Sequence, residues 1–174
     1  MSTAGSDKTL VLVRHAKAEE GQGKADHDRE LTNRGRRDAE AAGAWLHGNG
    51  LGPDLVIAST SERTRQTWDS LRRGGIGSEF VEFRHSVYLG GSEQVLDTVR
   101  EDGSDADTVL VIGHNPTMAQ LTSLLCDGQG SREAHAALAD GFVTCGVAVL
   151  RYAGPWADLD LGTCELDRFH VGRG

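Results

Sequence analysis

Three runs of four consecutive apolar residues set the fold: Leu10-Val11-Leu12-Val13, Leu55-Val56-Ile57-Ala58 and Val109-Leu110-Val111-Ile112. A strand that is apolar at every position buries both of its faces, and this is the habit of parallel strands covered by helices on either side. Each run stops abruptly at polar residues and is followed by a segment of helical period. After the first comes a charged, Gly-containing loop, Ala18–Glu30, and then a helix with Thr32 as N-cap and Ala39, Ala42, Gly43 and Leu46 on one face. The second leads into Thr64, Thr67, Trp68 and Leu71, and the third into Met118, Leu121, Thr122 and Leu125, all at helical spacing. Phe80–Phe83 reads as a further strand and Ser92–Arg100 as a helix turning Val95, Leu96 and Val99 inward. Gly128–Asp140 reads as a polar loop or short helix, and Val143–Tyr152 and Leu161–Phe169 as two strands pairing near a sheet edge. The alternation predicts an α/β fold, a three-layer sandwich whose mostly parallel central sheet is flanked by helices.

At 174 residues the chain suits one hydrophobic core, so we expect a flexible N-terminus over 1–7 and a single domain over 8–174. The net charge of −8 repels nucleic acid and anionic membrane surfaces, so a site for an anion has to be a local cationic pocket. Cys126, Cys145 and Cys164 are an odd number with no C-x-x-C spacing, which suits a reducing, cytoplasmic setting. The first residues have neither the length of a signal sequence nor that of a membrane span, and export or anchoring is not expected. His27, His47, His85, His135 and His170 lack metal-ligand spacing, and no glycine pattern matches a nucleotide-binding loop. The sequence therefore predicts no metal and no cofactor.

In parallel α/β sheets ligands bind beyond the carboxyl ends of the strands. That rule gathers Arg14-His15, Ser59–Arg63 and Gly113-His114 on one rim, although they lie far apart in sequence. Two arginines and two histidines are what phosphoryl transfer needs. Charge spread over the phosphoryl oxygens calls for fixed cationic donors around an in-line nucleophile, and the planar arginine fork matches phosphate. A histidine with an ordinary pKa has a neutral ring nitrogen free to attack near neutrality, so one of His15 and His114 can attack while the other donates a hydrogen bond.

Arg14-His15-Ala16-Lys17-Ala18 resembles the R-H-G or R-H-A signature of the histidine phosphatases. Leu31-Thr32-Asn33-Arg34-Gly35 is similar to their L-T-x-x-G helix start, Ser59–Thr67 to S-P-x-x-R-x-x-Q-T, and Gly113-His114-Asn115-Pro116 to the G-H-N-P form of the second histidine motif. The resemblance runs in order from Leu10 to Leu125 and is closest to the SixA branch, small phosphatases acting on phosphohistidine in signalling proteins. It implies His15 as a nucleophile that becomes phosphohistidine, and Arg14, Arg63 and His114 as the phosphate pocket. The implied partner is a phosphorylated protein or a small phosphorylated substrate.

Two departures stand out. Thr60 replaces a frequent proline, with an expected effect on loop stiffness alone, and no clear counterpart of the relatives' acidic proton donor occurs around Tyr88–Gly91. Glu93 and Asp28 are the candidate donors. An absent acid suits a phosphoramidate better than an alkyl phosphate or a phosphoglycerate mutase reaction. It also leaves open a module that binds phosphorylated ligands with little turnover. A further alternative is a cysteine-dependent phosphatase, because Cys126 to Arg132 satisfies C-x5-R. Such a cysteine should follow a buried strand, whereas Met118–Leu125 has helical period, and Glu133 would crowd a phosphate loop with negative charge.

Overall fold

The computed structural model describes residues 7–174. Of the terminus expected to be flexible, residues 1–6 lie outside the described part, and Asp7 opens the first strand. Seven strands form one sheet: β1 (Asp7–Arg14), β2 (Leu55–Ser59), β3 (Phe80–Arg84), β4 (Thr108–Gly113), β5 (Cys126–Gly130), β6 (Gly146–Ala153) and β7 (Cys164–Val171), in the order β3-β2-β4-β1-β6-β7-β5. The pairings β1/β4, β2/β4, β2/β3 and β5/β7 are parallel, and only β6 runs antiparallel to its neighbours β1 and β7.

Alternation along the apolar strands divides the core in two. Val11, Val13, Val56, Ala58, Leu110 and Ile112 face helices α1 (Asn33–Gly48) and α2 (Glu62–Arg73). Leu10, Leu12, Ile57, Val109 and Val111 face the opposite layer, built from α4 (Ser92–Asp102), α5 (Thr117–Leu125) and α6 (Arg132–Ala139). The expected three-layer sandwich is the observed one. Thr32 caps α1 by accepting from Gly35 N at 3.0 Å. Gly43 lets α2 approach closely, since a Cβ there would stand 2.1 Å from the Leu71 carbonyl oxygen.

β6 and β7 pair with each other near the sheet edge, as expected. Two local expectations change. The edge itself is β5, which falls where the sequence reads as helix end and polar loop. A short helix, α3 (His85–Leu89), follows β3 directly; only Val87 of its five residues is buried, too little to print a period on the sequence.

Candidate active site

Strand order and register assemble the site. β2, β4 and β1 are adjacent and parallel, so their carboxyl ends share one rim. Arg14 pairs with Gly113 across the β1/β4 ladder, and His15 N–H continues it to the Gly113 carbonyl at 3.0 Å. The residue after each strand is therefore a histidine, and the His15 and His114 rings lie 5.2 Å apart, centroid to centroid. Arg14, His15, Arg63 and His114 together line one cavity of about 320 Å³.

The His15 tautomer follows from its hydrogen bond. His15 Nδ1 lies 2.8 Å from the Ala16 carbonyl oxygen, which can only accept, so Nδ1 carries the proton and Nε2 keeps its lone pair. Burial, aided by the charges of Arg63, Arg14 and Arg29, pushes the His15 pKa down to about 4. The ring is neutral at neutral pH. His114 Nε2 is held by Ser59 Oγ at 2.8 Å, and its pKa falls to about 3, first through burial and then through His15 and Arg63.

Each arginine is braced at its tip and unpartnered at its stem. Arg14 Nη1 donates to the Phe142 carbonyl at 3.0 Å. Arg63 Nη1 donates to the Asp26 carbonyl at 2.8 Å and Nη2 to Asp26 Oδ2 at 3.1 Å, with the Arg63 side chain only 7% exposed. Among the described residues, five buried side-chain polar atoms have no hydrogen-bond partner, and three of them are Arg14 Nε, Arg63 Nε and His114 Nδ1. An unpartnered buried donor costs on the order of 1–3 kcal/mol, so three of them in one cluster mark a place made to receive acceptors. A tetrahedral oxyanion offers such acceptors.

The surrounding motif residues hold this arrangement. Thr67 Oγ1 accepts from Ala16 N–H at 3.1 Å and donates to the Arg63 carbonyl at 2.7 Å, tying the turn after His15 to α2. Gln66 accepts from Leu31 N at 2.9 Å and donates to Glu30 and Glu62. Cys145 N–H reaches the Arg14 and His15 carbonyls at 3.1 and 3.2 Å.

The two candidate proton donors stand apart from the cavity. Asp28 lies 3.8 Å from His27 Nδ1 and is well exposed, and Glu93 sits in the first turn of α4; neither lines the cavity. The carboxylates that do are Glu19 and Glu20, beside Lys17 and Arg29 at its mouth. Sequence reasoning passed over them because the loop Ala18–Glu30 is charged throughout, and nothing in its spacing sets those two apart. Asp26 was missed for the same reason. Thr60 does more than relax the loop, because its hydroxyl meets His27 Nε2 at 2.9 Å and His85 Nδ1 at 3.4 Å, contacts a proline cannot make.

Cys126 does not fit a phosphate loop. It ends α5, opens the edge strand β5, and has its thiol pKa raised by burial, the wrong direction for a thiolate nucleophile. A larger cleft of about 1100 Å³ opens near the amino ends of β2 and β3, but Asp54, Glu79, Glu82 and Glu101 line it and would repel an anion. Among the described residues no helix is long and apolar enough to cross a membrane.

Fold and site together define an α/β protein with two arginines and two histidines lining one cavity at the carboxyl rim of its sheet. The family model of the histidine phosphatase superfamily (branch 1) matches residues 10–81. A Mycobacterium tuberculosis protein without assigned function is 40% identical over 162 residues, covering 92% of this chain and all of the relative. A candidate phosphohistidine phosphatase SixA from Nakamurella multipartitia is 38% identical and superposes with a TM-score of 0.85, over 97% of this chain and 98% of that one. Another from Agrobacterium tumefaciens is 31% identical, with a TM-score of 0.76 over 94% and 98%. The chain belongs to the histidine phosphatase superfamily, in its SixA-like branch.

Proposed function

We propose that this phosphatase hydrolyses phosphoryl groups through a covalent phosphohistidine intermediate on His15, with no metal, and that its substrates are phosphohistidine in proteins, other phosphorylated proteins or small phosphate esters. The observation that carries the reading is the ring of unpartnered donors, Arg14 Nε, Arg63 Nε and His114 Nδ1, around a histidine whose Nε2 lone pair is free. In the first step Nε2 attacks phosphorus, the new N–P bond forms as the bond to the leaving group breaks, and the leaving group departs with a proton taken up from solvent. In the second, water attacks phosphorus, restoring His15 and releasing phosphate. The arginines and His114 stabilise the charge on the transferring oxygens in both steps. In the tautomer that carries its proton on Nδ1, a neutral His114 donates from that atom to a phosphoryl oxygen.

A protonated imidazole leaves phosphorus readily, whereas an alkoxide needs an acid. Asp28 and Glu93, the candidate acids, both lie off the cavity, which leaves Glu19 and Glu20 on its lining as the carboxylates placed to protonate an alkoxide. The test is rapid-quench trapping with a protein phosphorylated on histidine by phosphoramidate. Wild type should give an acid-labile, alkali-stable phosphoenzyme, and His15→Ala should give neither phosphoenzyme nor turnover. Turnover in His15→Ala at the wild-type rate would refute the mechanism, and binding without hydrolysis by wild type would turn the reading to a docking module.

A further inference from the structure

We propose that Asp26 is a positioning residue for Arg63, fixing the plane of its guanidinium so that the Nε–H edge faces the transferring phosphoryl group, with Tyr88 locking Asp26 in place. The proposal rests on the reading of Arg63 as a phosphate ligand.

A guanidinium is a flat plate, and two contacts at its far end determine where its third edge points. Asp26 supplies both. Its main-chain carbonyl accepts from Nη1 at 2.8 Å and its carboxylate accepts from Nη2 at 3.1 Å. The stem nitrogen Nε is buried without a partner, on a side chain that lines the cavity. Asp26 thus takes one N–H from each of Nη1 and Nη2 and leaves the side edge, with its buried Nε–H, to meet phosphate.

The carboxylate itself is saturated. Oδ2 accepts from Arg63 Nη2 and from Tyr88 Oη at 2.7 Å, and Oδ1 accepts from Arg29 Nε at 3.1 Å and Nη2 at 2.9 Å. Four donors fill the four lone-pair directions of a carboxylate, which stops it rotating. The hydrogen bond from Tyr88, reinforced by Arg29 and Arg63, holds its pKa far below the ordinary carboxylate range, so it is an anion at every working pH. Tyr88 also sets its ring edge to face against His114, 5.7 Å between centroids, so the same side chain holds Asp26 and abuts His114.

A purely structural role does not account for these contacts. Asp26 belongs to a three-residue 3-10 helix, Asp26–Asp28, that buries none of its residues, and its own side chain is 55% exposed. The buried partner is Arg63, which needs a counter-charge to be buried at all.

The experiment is a double-mutant cycle on intact protein, read as kcat and KM on the histidine-phosphorylated protein and as orthovanadate affinity. Removing a charged hydrogen-bonding partner should lower kcat in Asp26→Ala about tenfold or more, with KM little changed, because misaimed Nε costs most in the transition state. In an Arg63→Ala background Asp26→Ala should then add nothing. Vanadate affinity should follow kcat. Tyr88→Phe, which leaves the loop's other contacts intact, should lose about threefold in kcat, again only when Arg63 is present, and carries the test if Asp26→Ala proves unfolded by thermal melting. Wild-type kcat in a folded Asp26→Ala, or losses from Asp26→Ala and Arg63→Ala that multiply in full, would overturn the inference. An Arg63→Ala variant with undiminished kcat would instead overturn the functional reading beneath it.

Discussion

Burying two neutral histidines side by side ties the stability of the fold to pH in a way that can be worked out in advance. His15 and His114 have folded-state pKa values of about 4 and about 3, against 6.5 for a free histidine. Folded values lie below unfolded ones, so on acidification the unfolded chain takes up protons first, and stability is lost as pH falls through 6.5. At pH 5 each ring is protonated in the unfolded chain and still neutral in the folded one, which costs about 2 kcal/mol per ring. This figure depends only on both folded values lying below 5, so the mutual influence of two rings 5.2 Å apart does not alter it. Between pH 7 and pH 5 the pair should remove about 4 kcal/mol, lowering Tm by about 10 °C for a domain of this size. Urea unfolding at both pH values for wild type and for His15→Gln/His114→Gln gives the comparison. The double variant should lose about 4 kcal/mol less than wild type over that interval. Equal losses would show that the two rings are not held neutral by burial.

Thr67→Val keeps the side-chain volume but leaves the Ala16 N–H unpartnered in a buried turn, and should cost about 1–3 kcal/mol by denaturant unfolding and lower the phosphorylation rate of His15 in quench-flow. Gly43→Ala drives a methyl group into the Leu71 carbonyl oxygen, 2.1 Å away, and should separate α1 from α2 at a cost of about 2–3 kcal/mol, read as a lowered midpoint in urea. At Gly48, where a Cβ meets nothing within 4 Å, the same change should leave the midpoint unchanged or raised.

What the sequence discloses depends on how many neighbours a residue's role requires. Leu10–Val13 declares a two-faced strand by itself, because burial on both sides demands apolar residues at every step, and the same holds for Leu55–Ala58 and Val109–Ile112. Arg14, His15, Arg63 and His114 are legible because strand ends and helix starts are sharp boundaries, and a rule of sheet topology converts those boundaries into proximity. Their distances and the His15 tautomer are not, since the Ala16 carbonyl and Ser59 that hold the rings are ordinary residues until the fold places them. β5 escaped because Cys126–Gly130 has almost no buried side chain and is a strand only through its pairing with β7.

The loop Ala18–Glu30 marks the limit most clearly. Its residues are nearly all polar, so no period distinguishes a solvated carboxylate from a working one. Asp28 and Asp26 differ by two positions in one short helix, yet Asp28 faces exposed His27 while Asp26 grips a buried arginine. The deciding partner, Arg63, lies 37 residues away on α2, and Tyr88 lies 62 residues away on α3. A carboxylate whose function is to hold another side chain has no local signature, because its partner is chosen by tertiary structure. Such residues can be identified only after the group they hold has been found, and here that group is the arginine the sequence had already marked.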